Sequence, residues 1–410
     1  MSTWLKEKKI DITIKYILFL FSPFFSFLYS LRRINTKSSY FIFFLTSIFF
    51  GMSFSVPSGR VEGTGGFDSQ YYREKFEEYQ YVSSFEFHDN LIGFLSFNEG
   101  KQDYYFDTVA FYISRITDNY HVMFMFFAIV FAYFSLKSLR FITQEEKFNT
   151  SITSYILVYL FLYNQIFNIN GVRFWTAAWI AIYCIFQIYR NNNKKYYLLA
   201  LLTPYFHGAF WVYLAILSIA QVFRRFEKTW IILFISSFFI STISIEFIEY
   251  FQPYLPTFLS KMVNSYTSLE AIERRSNISG LGSIFANIFK YLILFYINII
   301  IIIFIKNAKK INQNQKTKNL YLFLLVWMSI FNFLFFVPSL GNRFITLSYP
   351  IIAYIWLVTF ENKKYNYVIL ILPFIFLWNI REQIIYYSTV LTLDFYISNP
   401  LYLIYKYIFI

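Results

Sequence analysis

Two arginines in this chain stand at the start of apolar segments, where fixed cations are suited to binding anions. Arg173 comes shortly after Asn170 and a glycine, and Arg343 follows a glycine and an asparagine. Arginine stays charged, so placing it at the mouth of a hydrophobic segment costs free energy unless an anion or water is there. Two guanidinium groups facing one pocket would bind a diphosphate through paired hydrogen bonds. The alternative is that both side chains simply extend to the membrane surface.

His207 is the candidate for proton transfer. The chain holds only two other histidines, His88 and His121, and neither lies in a comparable setting. Imidazole gives or takes a proton near neutral pH, which the transfer of a group onto a hydroxyl requires. The alternative is a histidine that packs against Tyr205 and Trp211 and takes no part in chemistry.

A long polar segment, residues 57–117, carries the acidic candidates and paired tyrosines. Asp103 and Asp107 are four residues apart and would share one face if that part is helical. Any of these acids could act as a general base or hold polar groups of a substrate beside the tyrosines; the alternative is a solvated acidic surface. The candidates in this segment are Asp68, Tyr71, Tyr72, Asp103 and Asp107.

A second long polar segment, residues 251–283, contains the doubled arginine Arg274 and Arg275. A connection of this length without an apolar run is long enough to form a lid over a site. We therefore regard both arginines as further candidate ligands of a phosphate group.

The composition indicates a multi-pass membrane protein made of α-helices. Hydrophobic residues make up 57% of the 410 residues and charged residues 14%, whereas soluble domains carry about 25% charge. Apolar runs recur from end to end at roughly the 18 residues needed to cross a bilayer, which predicts about ten to twelve transmembrane helices. The predicted spans are 14–31, 40–56, 119–139, 152–169, 172–189, 196–222, 229–250, 284–305, 319–337, 343–360 and 366–380.

The net charge of +13 is better explained by membrane topology than by nucleic-acid binding. The lysine clusters lie in short loops between apolar runs, and the positive-inside rule places such loops in the cytoplasm. The segments 57–117 and 251–283 and both candidate arginines then lie on the outer face.

Residues 196–222 do not fit as a single span, because the positive-inside rule would place the loops at both of its ends in the cytoplasm. Thr203 to Gly208 contains a proline and a glycine around His207, and such breaks are tolerated where backbone lines a cavity buried in protein. We favour two short helices with His207 near the outer tip. The alternative is one long helix that places Arg224 outside.

Several kinds of chemistry have no support in the sequence. The single cysteine, Cys184, excludes an intramolecular disulfide and a cysteine metal cluster. No phosphate-binding glycine loop, dinucleotide fingerprint, zinc motif or nucleophile elbow occurs. We expect neither a metal nor a cofactor.

An ordered series of these motifs resembles the EpsG family of bacterial polysaccharide polymerases, the Wzy-type enzymes. The resemblance covers about residues 40–410, and its weight comes from the order of the motifs. They are Asp68 to Tyr72, Asp103 to Thr117, Asn170 to Arg173, Phe206-His207, Arg343 leading toward Tyr349, and the aromatic tail from Asn399 to Tyr407.

The resemblance implies a GT-C-like membrane glycosyltransferase in the bacterial cytoplasmic membrane. It would polymerise undecaprenyl-diphosphate-linked oligosaccharide repeat units on the outer face, alongside a flippase and a chain-length regulator. The arginines would hold the diphosphate, and His207, Asp68 or Asp103 would take the acceptor proton. The implied substrate contacts are Asn170, Tyr71, Tyr72, Asp107 and Trp175.

Two other classes of protein remain open. A flippase or transporter of lipid-linked oligosaccharide would carry polar groups near the midplane and inverted repeats, and no internal symmetry is evident. An O-antigen-ligase-like enzyme or an acyltransferase would meet a similar anion-binding problem, but an acyltransferase would favour a histidine paired with a nearby acid.

Overall fold

The computed structural model describes residues 4–56, 68–98, 101–163, 171–239, 250, 252–254, 260, 281–336, 340–360 and 365–409. Within these ranges every regular element is helical, as the sequence predicts. Three candidate residues, Asn170, Arg274 and Arg275, lie outside the described residues. Most of the predicted 251–283 lid also lies outside them.

Thirteen helices precede residue 240 in the described part of the chain, and a π-helical turn, Phe186–Arg190, continues the ninth. A 3₁₀ turn, Leu31–Arg33, follows the second. The helices are α1 (Lys9–Phe21), α2 (Pro23–Ser30), α3 (Lys37–Ser53), α4 (Asp68–Tyr79), α5 (Ser84–Leu95), α6 (Tyr105–Ser114), α7 (Tyr120–Thr143), α8 (Ile152–Phe161), α9 (Val172–Ile185), α10 (Tyr196–Ala200), α11 (Thr203–Phe206), α12 (Phe210–Phe223) and α13 (Glu227–Ser236).

The described helices after residue 280 are mostly shorter. A 3₁₀ turn, Gln252–Tyr254, precedes them, and a second 3₁₀ turn, Leu334–Phe336, and a π-helical turn, Tyr405–Phe409, lie among them. The helices are α14 (Leu281–Lys306), α15 (Ala308–Ile311), α16 (Gln315–Phe333), α17 (Gly341–Thr346), α18 (Tyr349–Thr359), α19 (Asn366–Leu370), α20 (Leu372–Ile375), α21 (Leu377–Val390), α22 (Leu393–Ile397) and α23 (Pro400–Ile404).

Polar side chains begin several of these apolar helices. Ser22 accepts a hydrogen bond from a backbone N–H in the first turn of α2, Thr36 does the same for α3, and Asn119 for α7. Each cap satisfies one of the N–H groups that a helix start leaves without an intrahelical partner. Short polar residues between apolar runs therefore set these boundaries.

Several helices indicate a multi-pass membrane protein. In the described ranges, three helices are long and apolar enough to cross a membrane: Tyr120–Thr143, Val172–Arg190 and Ile284–Lys306. The pair Asn366–Ile375 and Leu377–Val390, bent by 46°, adds a fourth candidate if it forms one span. The count of about ten to twelve spans stays a prediction.

Local breaks in the helices explain why fewer helices than predicted are long enough to cross a membrane. The predicted span 14–31 is divided between α1 and α2, where Ser22 is extended and Pro23 begins the second helix. The predicted span 343–360 is divided between α17 and α18 in a similar way, with Pro350 in the first turn of α18. A hydropathy profile detects the apolar run but not the interruption of the helix within it.

The segment 196–222 is interrupted at His207. This residue adopts an extended backbone conformation after the short α11, and α12 starts at Phe210. The alternative of one continuous helix is therefore wrong, because Pro204 and the extended residue end the helical hydrogen-bond ladder.

Helix α9 lies at the centre of the molecule. From Thr176 to Ile185 each of its residues is buried, and it packs against α7, α10 and α11. Small residues permit close helix contacts elsewhere in the bundle: a Cβ at Gly51 of α3 would lie 2.5 Å from the Cβ of Ala128 in α7. Glycine and alanine at such interfaces let two backbones approach each other.

The polar segment 57–117 folds into α4, α5 and α6 where it is described. The apolar face of α6 packs against α4 and α7, with Phe106 and Phe111 buried. Phe111 stacks on Phe87 of α5 at 4.0 Å between ring centroids. These contacts dock the segment on the end of the bundle at which α9 begins.

Candidate functional site

Arg173, the second residue of α9, is held by two partners from the polar segment. Its Nη1 lies 2.9 Å from the Asp103 carboxylate, and its Nε donates a hydrogen bond of 3.3 Å to the Tyr72 hydroxyl. The Asp103 side chain is 4% exposed, whereas that of Arg173 is 32% exposed. Asp103 and Tyr72 therefore fix the buried side of the guanidinium, and its other side stays open.

Asp103 lies two residues before the start of α6, and both a backbone N–H and Arg173 contact its carboxylate. The Gly208 N–H donates a hydrogen bond to its carboxylate. Burial raises the pKa of Asp103, and the neighbouring Arg173 opposes that rise. Since Asp103 precedes α6 and Asp107 lies within it, the two acids do not share a helical face.

Glycine is needed at position 208 because two backbone segments meet there. A Cβ on Gly208 would lie 2.5 Å from the carbonyl oxygen of Gln102, a distance that would displace one of the segments. The Tyr104 N–H also donates to the Tyr205 carbonyl at 3.0 Å. The loop around His207 and the approach to α6 are thus joined by backbone contacts.

His207 lies close enough to both candidate arginines to be affected by their charges. The charges of Arg173 and Arg343 both act on its ring. Its Nδ1 accepts a hydrogen bond of 3.2 Å from the Ala209 N–H, so that nitrogen carries no proton. The neutral ring therefore has its proton on Nε2.

Phe174 links His207 to Arg343. Its ring packs edge-on against the imidazole at 5.2 Å, and the Arg343 guanidinium carbon lies 5.3 Å from the centroid of the same ring. Phe344, the residue after Arg343, also contacts Phe174 at 5.4 Å. The packing of one phenylalanine thus sets the spacing of the two groups.

Arg343 differs from Arg173 in its partners. Among the residues that the structure describes, no acceptor or carboxylate pairs with the Arg343 guanidinium, whose contact there is the Phe174 ring. Its helix is held close to the preceding turn, since a Cβ on Gly341 would lie 2.2 Å from the Leu334 carbonyl oxygen. Arg343 is therefore a positioned cation that is available to an anion.

Tyr72 is a positioning residue in this arrangement. It is 1% exposed and stacks on Phe106 at 4.8 Å. Burial raises the pKa of its hydroxyl to about 12, with Arg173 acting in the opposite direction. This burial leaves no open face of the Tyr72 ring for a substrate, whereas the neighbouring Tyr71 is exposed.

The other sequence candidates lie around this cluster or apart from it. Asp68 is exposed in the first turn of α4, where its charge acts on Tyr72. Asp107 accepts a hydrogen bond from Tyr79 and lies 3.7 Å from Lys101, so it belongs to a separate contact. Trp175 is half-buried and packs edge-on against Phe174 at 4.9 Å.

The two remaining histidines have other surroundings. His88 is exposed on α5 and contacts the Ser84 carbonyl through Nδ1. His121 stacks on Tyr120 at the start of α7, at 4.2 Å between ring centroids. Over the described ranges, no group of three or more His, Cys, Asp or Glu residues is arranged to hold a metal ion.

Sequence reasoning did not single out Phe174, and it did not predict the contact that Gly208 makes. The chain has 55 phenylalanines, and no local pattern distinguishes the one that joins His207 to Arg343. The His-Gly pair was visible, but only the tertiary structure brings Gln102 against it.

A sequence model of the EpsG family matches residues 43–389. The chain belongs to the EpsG family. The matched region contains Tyr72, Asp103, Arg173, His207 and Arg343. Membership of the EpsG family implies a role in polysaccharide biosynthesis, and the long apolar helices indicate a multi-pass membrane protein. Neither a curated protein nor a solved structure matches the chain.

Proposed function

We propose that this EpsG-family protein polymerises oligosaccharide repeat units carried on undecaprenyl diphosphate, at the extracytoplasmic face of the bacterial cytoplasmic membrane. The observation that carries the proposal is the Arg343 guanidinium, which has no acceptor among the described residues and whose charge, like that of Arg173, acts on His207. In this function the fold acts as a GT-C-like membrane glycosyltransferase, and the product is a capsule, O-antigen or exopolysaccharide chain.

The arginines would stabilise the leaving group. The bond between the anomeric carbon of the growing chain and the lipid diphosphate breaks, and the diphosphate takes the electron pair. Arg343 would bind the developing negative charge directly, and Arg173 would present its open side to the same group. Cations placed in advance stabilise such charge without reorganisation during the reaction.

A base would take the proton of the acceptor hydroxyl as that oxygen bonds to the anomeric carbon. Asp103 and His207 are the two groups of the cluster that could receive it. The Asp103 carboxylate is buried and already forms an ion pair with Arg173. Nδ1 of His207 carries no proton, and it already accepts a hydrogen bond from the Ala209 N–H. Asp68 lies at the exposed edge of α4 and is the third candidate.

Sugar binding would use the polar segment beside the cluster. Tyr71 is 47% exposed and could stack on a sugar ring, and Trp175 lies next to Phe174. Asp107, together with Asn170, would hold sugar hydroxyls. Arg274 and Arg275 would assist at the diphosphate from the 251–283 loop.

The decisive experiment measures the surface glycan of producing cells that carry Arg173→Ala, Arg343→Ala or His207→Ala at matched protein levels. Gels resolve the glycan by length beside a deletion strain. We expect single repeat units or no polymer in the variants, while repeat units still reach the outer leaflet. Arg225→Ala, an exposed arginine outside the cluster, is the matched control and should give polymer of normal length.

The same experiment separates the rival functions. Repeat units retained on the inner leaflet would identify a translocator. Normal polymer that is not attached to its final acceptor would identify a ligase, and normal polymer lacking acyl groups would identify an acyltransferase. Normal polymer in all three variants would contradict the residue assignment.

A further inference from the structure

A polar cavity lies at the other end of α7 and α9 from Arg173. Its volume is about 830 Å³, and it lies where the last turns of α7, the π-turn after α9 and the start of α16 meet. Seventeen residues separate Arg173 from Arg190, which is about 26 Å along a helix at 1.5 Å per residue. The cavity is therefore separate from the proposed polymerase site.

Part of the charge in this cavity is already compensated. Glu145 forms an ion pair with Arg190, accepts a hydrogen bond of 2.8 Å from the Tyr354 hydroxyl, and lies 3.6 Å from Lys316. The Arg190 and Glu145 side chains are only 14% and 11% exposed. This network joins the π-turn after α9, the start of α16 and the middle of α18, and it occupies the Glu145 carboxylate.

Two further cations on the cavity wall have no carboxylate partner among the described residues. Lys137 lies 4.2 Å from the ring centroid of Tyr133 and donates to its hydroxyl, and the Arg140 guanidinium carbon lies 4.7 Å from the ring of Trp4. Arg140 also donates a hydrogen bond of 3.5 Å to Gln144. In the part of the chain that the structure describes, neither cation forms an ion pair.

The charge of the wall is therefore positive. Four cations line it, including Lys137 and Arg140, against the carboxylates of Glu145 and Glu146. Lys137 and Arg140 are three residues apart and so lie on neighbouring positions of one helix face. Both side chains pack against aromatic rings. Part of the side-chain conformational entropy that ligand binding would cost is therefore already lost in the free protein.

We propose that this cavity binds a phosphate-bearing ligand through Lys137 and Arg140. A phosphate group would offset the net positive charge of the wall and offer several acceptor oxygens to the two donors. By the positive-inside rule this end faces the cytoplasm. The ligand is therefore either an anionic phospholipid headgroup of the inner leaflet or a soluble phosphorylated molecule.

The test uses the full-length protein and two probes. The first is inorganic phosphate, titrated against chloride at constant ionic strength, with thermal unfolding as the readout in detergent. The second is retention of phosphatidylglycerol, measured after reconstitution into phosphatidylcholine nanodiscs with and without that lipid. We expect Lys137→Gln with Arg140→Gln to weaken binding of the effective probe by at least about tenfold, because the variant loses two charged hydrogen-bond donors.

Three further variants make the outcome interpretable. Arg225→Gln with Lys309→Gln removes two exposed cations away from the cavity and should leave binding unchanged. Lys137→Arg with Arg140→Lys keeps the charge and should retain binding, which excludes a folding defect. Arg343→Gln removes the anion site at the opposite end, so a phosphate effect that it abolishes would belong there.

The result identifies the source of the phosphate group. A response to inorganic phosphate assigns a soluble ligand, and a response to phosphatidylglycerol alone assigns a lipid headgroup. Equal responses of the wild type and the Lys137→Gln, Arg140→Gln variant, or no response to either probe, would overturn the proposal. None of these outcomes depends on polymerase activity.

Discussion

At the scale of single residues, Arg173 and Arg343 carry the same charge but have different surroundings. Arg173 is bound to Asp103 and Tyr72, so its orientation is set before any substrate arrives. Arg343 packs against the Phe174 ring, and its guanidinium has no hydrogen-bond acceptor among the residues that the structure describes. The two arginines are therefore expected to respond differently to mutation.

Arg343→Gln should lower the polymerisation rate by about a hundredfold, because loss of one placed donor at a developing anion has an effect of that size. Arg343→Lys should recover only part of the rate, since an ammonium group cannot form the bidentate contact. The measurement is polymer formation by purified protein from lipid-linked repeat units, with thermal unfolding as the control for folding. A lysine variant as active as the wild type would contradict the bidentate role.

Arg173 and Asp103 should be energetically coupled. Asp103→Asn and Arg173→Gln should each destabilise the protein by about 1–3 kcal/mol, because each leaves a mostly buried partner unpaired and Arg173 keeps some solvent. The double variant should lose less than the sum of the two single variants. Unfolding of all four proteins in the same detergent measures the coupling, and strictly additive losses would contradict the pair.

At the scale of elements, the site depends on backbone contacts that a side chain would prevent. Gly208 brings the His207 loop against Gln102, and Gly341 brings α17 against the turn that ends α16. His207 itself lies in the break between α11 and α12. These interruptions lie in apolar runs that would otherwise continue as longer helices, and they bring the polar groups together.

Gly208→Ala should impair both folding and activity. The added Cβ would lie 2.5 Å from the Gln102 carbonyl oxygen, so the segment that carries Asp103 must shift, at a cost of about 1–3 kcal/mol. Gly93→Ala on α5 is the control, because alanine favours a helix over glycine. A Gly208→Ala protein with wild-type melting temperature and activity would show that the segment accommodates a side chain.

At the scale of the whole molecule, two cation-lined regions lie at opposite ends of one buried helix. Arg173 begins α9, and Arg190 ends the π-turn that continues it. The first region would face the periplasm or cell exterior, and the second would face the cytoplasm, if the lysine-rich loops obey the positive-inside rule. Orientation in the membrane is thus the property on which both proposals depend.

Single-cysteine labelling tests this orientation. The natural Cys184 is buried and is replaced by serine, and then Asp89→Cys on α5 or Lys309→Cys on α15 is introduced at an exposed position. A membrane-impermeant maleimide should label position 89 in intact cells, or in spheroplasts where an outer membrane is present. Position 309 should be labelled only after the cytoplasmic membrane is permeabilised. The reverse pattern would place the arginine cluster inside the cell and remove the basis of the polymerase proposal.

The sequence by itself determined the helical class, the membrane setting and the family. These properties follow from composition, apolar runs and an ordered series of short motifs, all of which are local along the chain. Arg173, Arg343 and His207 could be chosen for the same reason, since a charged or titratable group beside an apolar run is conspicuous wherever the chain folds.

The tertiary structure decided which of the chosen residues meet. Tyr72 lies 101 positions from Arg173 in sequence, and Asp103 lies 70 positions from it. Contacts over such separations depend on how helices pack and where they break, and neither follows from the hydropathy of one segment. For that reason the contacts of Phe174 and Gly208 and the cavity beside Lys137 and Arg140 became visible only in the folded protein.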